Sequence, residues 1–242
     1  MKNLIIDIGN TRIKSALFHG EELVEDCVEE YLDELLLKVG PWDFDHVLVS
    51  SVRWSKNELE VMLPFSFLFL DRSMPLPVTN AYETPHTLGL DRIAAAIGAH
   101  RMAGGSAVLS IDLGTCITYD FIDHSSCYQG GAISPGVQMR FKAMHAQTAR
   151  LPLLEHVPSD GFPPLMGNNT QEGMKSGVYY GVYFEMEGII SQYRSHYQDL
   201  KVFICGGDAK FFESLTKDYI FVIPNLVLHG LNRILNYNVN TN

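Results

Sequence analysis

The run Asn3-Leu4-Ile5-Ile6-Asp7-Ile8-Gly9-Asn10-Thr11-Arg12-Ile13-Lys14-Ser15-Ala16-Leu17-Phe18 decides the reading of this chain. Its first half is almost continuously apolar, the pattern of a strand buried on both faces. Its second half has enough Ile, Ala, Leu and Phe to return as the antiparallel partner. At the tip, Gly9 permits close backbone approach, Asn10 and Thr11 offer donors, Lys14 brings a positive charge, and Asp7 is a carboxylate suited to holding Mg2+ through water. These are the parts of a phosphate cradle, although Gly and Asn are also favoured in an ordinary hairpin turn for conformational reasons alone. A second copy tips the balance. Ala107-Val108-Leu109-Ser110-Ile111-Asp112-Leu113-Gly114-Thr115, continuing through Cys116 to Ile122, repeats strand, Asp-x-Gly-Thr turn and strand. Asp7 and Asp112 lie 105 positions apart in a chain of 242 residues. A repeat on that scale predicts two lobes of one architecture, residues 1–104 and 105–242, divided at Ala103-Gly104-Gly105-Ser106.

With 18 Lys and Arg against 28 Asp and Glu, the formal net charge is -10, which lacks the electrostatic footprint of a nucleic-acid or anionic-membrane binder. The four cysteines, Cys27, Cys116, Cys127 and Cys205, form no Cys-x-x-Cys pair, which argues against a structural zinc site and for reduced thiols in the cytoplasm. The nine histidines show no metal-ligand pairing. No stretch approaches eighteen uncharged apolar residues, so neither a signal peptide nor a membrane span is expected.

Between and after the hairpins, strands and helices alternate, which sets the class as α/β. Residues 31–38 have helical spacing with Gly40-Pro41 as a stop, residues 46–52 form a short buried strand, Ser55 caps a helix with Glu58 in its first turn, and Phe65 to Leu70 reads as a strand. A Pro-punctuated loop containing Tyr82 leads to Leu88-Gly89-Leu90-Asp91-Arg92 and a helix through Arg101. Gln129 to Gly136 is rich in glycine, as either a turn or an entry for a ligand near the helix from Gln138 to Gln147. After a long irregular stretch marked by Pro152, Pro158, Pro163 and Pro164, Asn169 with Glu172 resembles a capping box opening a helix to about Tyr197. Its Gly173, Gly177 and Gly181 make a smooth stripe, for packing either on a sheet or on a second subunit. The close comprises a strand from Lys201 into Gly206-Gly207-Asp208, a strand near Tyr219 to Ile223, a helix from Leu226 to Leu235, and a polar tail expected to fray from Asn236 to Asn242.

A duplicated Asp-x-Gly-Asn/Thr-Thr hairpin followed by a late Gly-Gly turn resembles the actin, sugar kinase and Hsp70-like ATPase superfamily, with ribonuclease H-like lobes and an ATP cleft between them. Within it, the chain is most similar to the type III pantothenate kinases. The ordered set that carries the resemblance is Asp7 to Thr11, Tyr82 with Pro85, Leu88 to Arg92, Asp112 to Thr115, Gly130 to Gly136, Thr148 to Pro152, Asn169-Thr170 and Gly206 to Asp208. The resemblance implies transfer of the ATP γ-phosphoryl group to the primary hydroxyl of pantothenate, the first step of coenzyme A biosynthesis. It assigns Asp7, Ile8, Gly9, Asn10, Thr11, Arg12, Ile13 and Lys14, with Thr115, Gly206 and Gly207, to ATP and its Mg2+. It makes Asp91 the base and gives Tyr82, Gly89, Leu90, Asp91 and Arg92 to pantothenate, with Arg92 on its carboxylate. Thr170 would reach the acceptor from the partner in a homodimer, and Asp112 would hold K+ or NH4+. Cys116 stands where the family often has Ala.

The chemistry agrees with the residues. A Walker sequence, Gly-x-x-x-x-Gly-Lys-Ser/Thr, is absent, so phosphate must be cradled another way, and two facing hairpins supply one. Phosphoryl transfer asks for charge neutralisation and alignment more than for covalent work. Asp91, in the first turn of a helix whose dipole favours the ionised carboxylate, suits a loose transition state in which the acceptor hydroxyl loses its proton late. The plainer alternatives are a helix-stabilising Asp91, an Arg92 in a surface ion pair and an Asp112 that caps its own turn. At the level of function, the rivals are another small-metabolite kinase of the superfamily and a nucleotide-binding accessory protein without turnover.

Overall fold

The computed structural model describes residues 1–157, 161–213 and 220–240. The opening hairpin is β1 (Lys2–Ile8) and β2 (Ile13–His19), continued by β3 (Glu22–Glu29). Then come α1 (Leu32–Val39), β4 (His46–Ser51), α2 (Lys56–Met62), β5 (Leu68–Phe69), β6 (Thr79–Asn80), a 3-10 turn at Pro85–Thr87 and α3 (Leu90–Met102). The second hairpin is β7 (Val108–Leu113) and β8 (Cys116–Ile122), followed by β9 (Cys127–Pro135), α4 (Val137–Gln147), α5 (Thr170–His196), β10 (Lys201–Cys205), α6 (Ala209–Phe212), β11 (Ile220–Val222) and α7 (Leu226–Asn240). The sheets are mixed, in the orders β3-β2-β1-β4-β5 and β11-β10-β7-β8-β9-β6. In each, the hairpin strand ending in Asp is central, with its antiparallel partner on one side and a parallel strand on the other. The α/β reading and the duplicated design are borne out.

The two sheets share a middle layer. Leu4, Ile6, Ile8, Val47 and Val49 face one way, onto α1 and α2, while Ile5, Ala16, Phe18 and Leu48 face the other, onto a core with α3 and α7. The alternation along β1 is the period-two signature of a strand covered on both faces. On the second sheet, Val108, Ile122 and Phe203 close that same core from the opposite side, while Leu109, Ile111 and Tyr119 meet α4 and α5. Connectivity crosses between the layers. The C-terminal α7 packs on β1, β2 and β4, whereas α3 packs on β7 and β8. Where α3 and α7 cross, a Cβ on Gly98 would stand 2.5 Å from the Leu226 carbonyl oxygen, and one on Gly230 1.8 Å from that of Ala94. Only glycine permits this spacing.

Several local expectations change. Strand β3 is additional to the sequence reading; it is an acidic edge, with Val24 and Val28 exposed, a charged rim of the kind that discourages edge-to-edge pairing. The strand expected over Phe65 to Leu70 shrinks to two residues, because Phe65 and Phe67 turn into the α1/α2 core instead of extending the ladder. Gln129 to Gly136 is mainly strand, not a turn: at Gly131 a Cβ would lie 1.6 Å from the Tyr119 carbonyl oxygen of the neighbouring strand. Asn236 does not fray. It is buried on α7 and accepts a hydrogen bond from Asn3 Nδ2 at 2.7 Å, as Asn232 does. The last two residues of the expected tail, like Pro158 and Tyr219, lie outside the described residues.

Ser55 caps α2 with both halves of a capping box, whereas at α5 only half of the expected box forms. Asn169 Oδ1 accepts from the Glu172 N–H at 3.0 Å, but the Glu172 carboxylate takes the N–H of Asn168. The glycine stripe on α5 does not pack on the sheet. Met174, Val178, Val182, Met186 and Ile190 do so, while a Cβ on Gly173 or Gly177 would meet nothing within 4 Å.

Candidate active site

Asp7 stands directly across from Lys14 in the β1/β2 register, so the two side chains leave the same face of the sheet. Ile8 and Ile13 are buried at the base of the hairpin and clamp it to the core. The Gly9 N–H donates to the Arg12 carbonyl at 3.0 Å, closing a turn whose tip, Asn10-Thr11-Arg12, is exposed. In the second hairpin, the Gly114 N–H donates to the Cys116 carbonyl at 3.1 Å and Thr115 is exposed at the tip. That turn is shorter, and Asp112 faces Thr118 instead of a lysine. The duplication is therefore unequal in charge, with Lys14 attracting both Asp7 and Asp112.

Asp91 completes the group from the first turn of α3. Its Oδ1 accepts the N–H of Arg92 at 2.9 Å, which folds the carboxylate over Gly89. A Cβ on Gly89 would sit 2.4 Å from that oxygen, so a larger residue here would displace the Asp91 carboxylate. Burial and then the charge of Asp91 push Asp7 up to about 6, with Lys14 and a hydrogen bond from Ser50 pulling the other way. Burial pushes Asp112 up to about 6 as well, opposed by Lys14 and reinforced by Asp91. Asp7 and Asp112, from the two sheets, thus share the attraction of Lys14 and both feel the charge of Asp91 on α3. Their mutual repulsion marks a place where cations are welcome.

The late turn closes onto the second hairpin. Gly206 has φ of 96°, and a Cβ there would meet Asp112 Oδ1 at 2.4 Å and the Leu113 carbonyl oxygen at 2.5 Å. The Asp208 N–H donates to that Leu113 carbonyl at 3.0 Å, and Gly207 presents an exposed, side-chain-free surface. The helix start expected to admit a ligand instead admits this hairpin, since a Cβ on Gly136 would lie 2.2 Å from the Gly114 carbonyl oxygen.

Tyr82, Gly89 and Arg92, the residues expected to seat the acceptor, come together. The guanidinium carbon of Arg92 lies 5.9 Å from the Tyr82 ring centre, and the Tyr82 ring rests on Gly130, where a Cβ would be 3.0 Å from Cδ2. Arg92 is not a solvated surface charge. It is buried and pairs with the buried Asp120 on β8, Nη2 to Oδ1 at 2.7 Å. Leu90 packs into the shared core. Thr170 opens α5 and is exposed; α5 covers the face of the second sheet opposite α3.

Two contributions were missed in the sequence. One is the end of β4: Ser50 bonds Asp7, the Val52 N–H donates to the Ile8 carbonyl at 3.0 Å, and Arg53 Nε donates to the Gly9 carbonyl. The Ser51 hydroxyl accepts the N–H groups of Arg53 and Trp54, turning Arg53 back towards the hairpin. A polar Ser-Ser pair closing an apolar strand was the available signal. The other is Asp120 with Tyr128, whose hydroxyl donates to Asp120 Oδ1 at 2.7 Å, a contact that no local pattern announces.

Among the described residues, no group of three or more His, Cys, Asp and Glu side chains forms a metal cage. No helix among the described residues is long and apolar enough to cross a membrane.

Comparison with known proteins places these features in a family. The family model for type III pantothenate kinase matches residues 3–192. A type III pantothenate kinase of Bacteroides fragilis is 46% identical over 242 residues, covering 98% of either chain. One from Cytophaga hutchinsonii is 44% identical over 237 residues, covering 98% of this chain and 100% of its own. Among solved structures, a ROK family glucokinase from Streptomyces griseus, in complex with glucose and AMPPNP, superposes with a TM-score of 0.54 at 12% identity, covering 99% of this chain and 100% of that one. This last likeness bears on the fold alone.

Proposed function

The chain belongs to the type III pantothenate kinase family, and from that premise we propose that it transfers the γ-phosphoryl group of ATP to the primary hydroxyl of pantothenate, giving 4'-phosphopantothenate. The observation that supports carrying the reading from family to residues is that Asp7 and Asp112 both feel Lys14 and the charge of Asp91, which precedes Arg92 and its Tyr82 partner in the chain's acceptor-side segment.

In this reading the first hairpin, with its backbone from Ile8 to Ile13, wraps the β- and γ-phosphates, and Lys14 draws charge off them. Thr115 approaches from the facing hairpin, and the nucleoside rests against Gly206 and Gly207. Asp7 would hold Mg2+ through water, which supplies further charge neutralisation at the phosphates. Asp112, buried and repelled by the charge of Asp91, would hold a monovalent cation, K+ or NH4+. Asp91 orients the acceptor hydroxyl and takes its proton as the bond to phosphorus forms. Orientation is its main contribution, since a loose transition state gives up that proton late. Tyr82, Gly89, Leu90 and Arg92 seat pantothenate, Arg92 through the carboxylate.

A homodimer belongs to the same proposal, with Thr170 reaching the partner's acceptor site. The exposed, side-chain-free stripe at Gly173 and Gly177, flanked by exposed Phe184, supports a subunit contact there. The reaction is assigned to the cytoplasm, where coenzyme A is made and thiols such as the four here stay reduced. The test is to measure ATP consumption and phosphopantothenate formation by purified protein with Mg2+ and either K+ or Na+ as the sole monovalent ion. Coupled formation of both products with a K+ requirement is expected. ATP loss only with another acceptor would overturn the substrate, and binding without turnover would favour an accessory role.

A further inference from the structure

We propose that Asp120 and Tyr128 are positioning residues that set acceptor specificity, by fixing Arg92 so that it recognises a carboxylate through direction and not through net charge. The inference rests on the reading of Arg92 as the partner of the acceptor's carboxylate. Asp120 lies on β8 with no solvent exposure, and its Oδ1 accepts from Arg92 Nε at 3.0 Å and from Nη2 at 2.7 Å. Tyr128, equally buried on β9, donates its hydroxyl to the same oxygen at 2.7 Å. One edge of the guanidinium is thereby committed, and the charge of Arg92 is balanced within the protein. Nη1 is left outside the ion pair, on a group held by two bonds to Asp120 and by a side-chain hydrogen bond with Tyr82, whose ring centre lies 5.9 Å from the guanidinium carbon.

The chemistry of such an arrangement is specific. A buried carboxylate needs full hydrogen bonding to stay ionised, and Tyr128 supplies the bond that Arg92 alone does not. Without it, Asp120 keeps only Arg92 and Thr118 as side-chain partners, and its hold on the guanidinium is weaker. A free cation attracts any anion from any direction, whereas a balanced, oriented N–H edge rewards only an acceptor that places its carboxylate oxygen in line. The neighbours are shaped for the purpose: Gly130 admits the Tyr82 ring, and Gly89 leaves 3.5 Å between a notional Cβ and Arg92 Cγ.

The test compares pantothenate with pantothenyl alcohol, its uncharged analogue, in wild type, Tyr128→Phe and Asp120→Asn. Tyr128→Phe keeps the ring and the fold. It should cut the preference in kcat/KM for pantothenate over the alcohol about tenfold, through KM for pantothenate. KM for ATP and kcat/KM for the alcohol should stay within about twofold. Asp120→Asn should erode the preference further wherever it folds. An equal loss with both acceptors would make the cluster merely structural, and an unchanged preference in Tyr128→Phe would equally overturn the proposal. A wild type with no preference for the charged acceptor would instead overturn the assignment of Arg92, and this proposal with it.

Discussion

Replacing Asp7 by Asn should make the metal-free protein more stable at pH 8 while abolishing its activity. Asp7 is pushed up to about 6 in the folded chain, against an ordinary value of 3.8, by burial and by the charge of Asp91. A folded-state value above the unfolded one means that the unfolded chain releases its proton first as pH rises. Below about pH 4 both states hold the proton and Asp7 costs nothing. Between about 4 and 6 stability falls with rising pH, and above about 6 the full cost is in place. About two pK units at roughly 1.4 kcal/mol each make that cost about 3 kcal/mol. For a chain of this size that corresponds to roughly 6–12 °C in Tm. Asn keeps the shape and the capacity to bond Ser50 but cannot ionise. Thermal unfolding of both proteins should be followed in potassium-free buffer with chelator, at pH 8 and pH 4.5. The difference in Tm should be several degrees at pH 8 and much smaller at pH 4.5. A difference that is absent, or equal at both pH values, would refute the claim that Asp7 is held in a strained ionised state awaiting a cation.

Asp91→Asn should retain ATP affinity by equilibrium binding but lose about 100- to 10,000-fold in turnover, as expected for a group that aligns and deprotonates the acceptor; undiminished turnover would remove Asp91 from that role. Gly230→Ala places a Cβ 1.8 Å from the Ala94 carbonyl oxygen, so α3 and α7 must separate. Overpacking costs about 1–3 kcal/mol or more, only partly offset by the roughly 1 kcal/mol gain in helix propensity, and urea melts should show a net loss. A Cβ at Gly177 meets nothing within 4 Å in its own chain, so Gly177→Arg should leave the melt nearly unchanged. Sedimentation should then show a dimer in wild type and a monomer in the variant; a variant that stays dimeric would place the subunit contact elsewhere.

What could be read from the sequence was what depends on near neighbours. Each hairpin announces itself because an apolar strand, an Asp and a Gly fall within a dozen residues, and Ser55 with Glu58 caps α2 through contacts three residues apart. Strand β3 was hidden because its acidic residues suit an edge facing water, and edge strands lack the continuous apolar run of buried ones. Gly130 and Gly131 looked like a turn because a glycine's sequence does not say whether it bends the chain or admits a neighbour. Asn236 looked like part of a fraying tail because its partner, Asn3, is at the other end of the chain. The site divides in the same way. Asp7, Asp91 and Asp112 were read as candidates through motifs, while Arg53 and Asp120 reach the candidate site through contacts 44 and 28 residues distant in sequence.

The crossing of helices explains why three carboxylates so far apart in sequence can be held together against their own repulsion. Asp7 ends the central strand of one sheet and Asp112 that of the other, and nothing in either strand fixes the distance between them. The distance is set by the layer between. Helix α3 lies on β7 and β8 and so carries Asp91 with the second sheet, although it precedes the expected lobe boundary in sequence, and its partner α7 lies on β1, β2 and β4. The contact between those helices, made close by Gly98 and Gly230, therefore ties the layer on the first sheet to the layer on the second. A change at Gly230 acts on the separation of Asp7 from Asp91 but leaves that of Asp91 from Asp112 to the second sheet. Loss of ATP-dependent turnover without loss of acceptor recognition is the kinetic signature that such a shift would leave, because Arg92, Asp120 and Tyr128 all move with α3 and the second sheet.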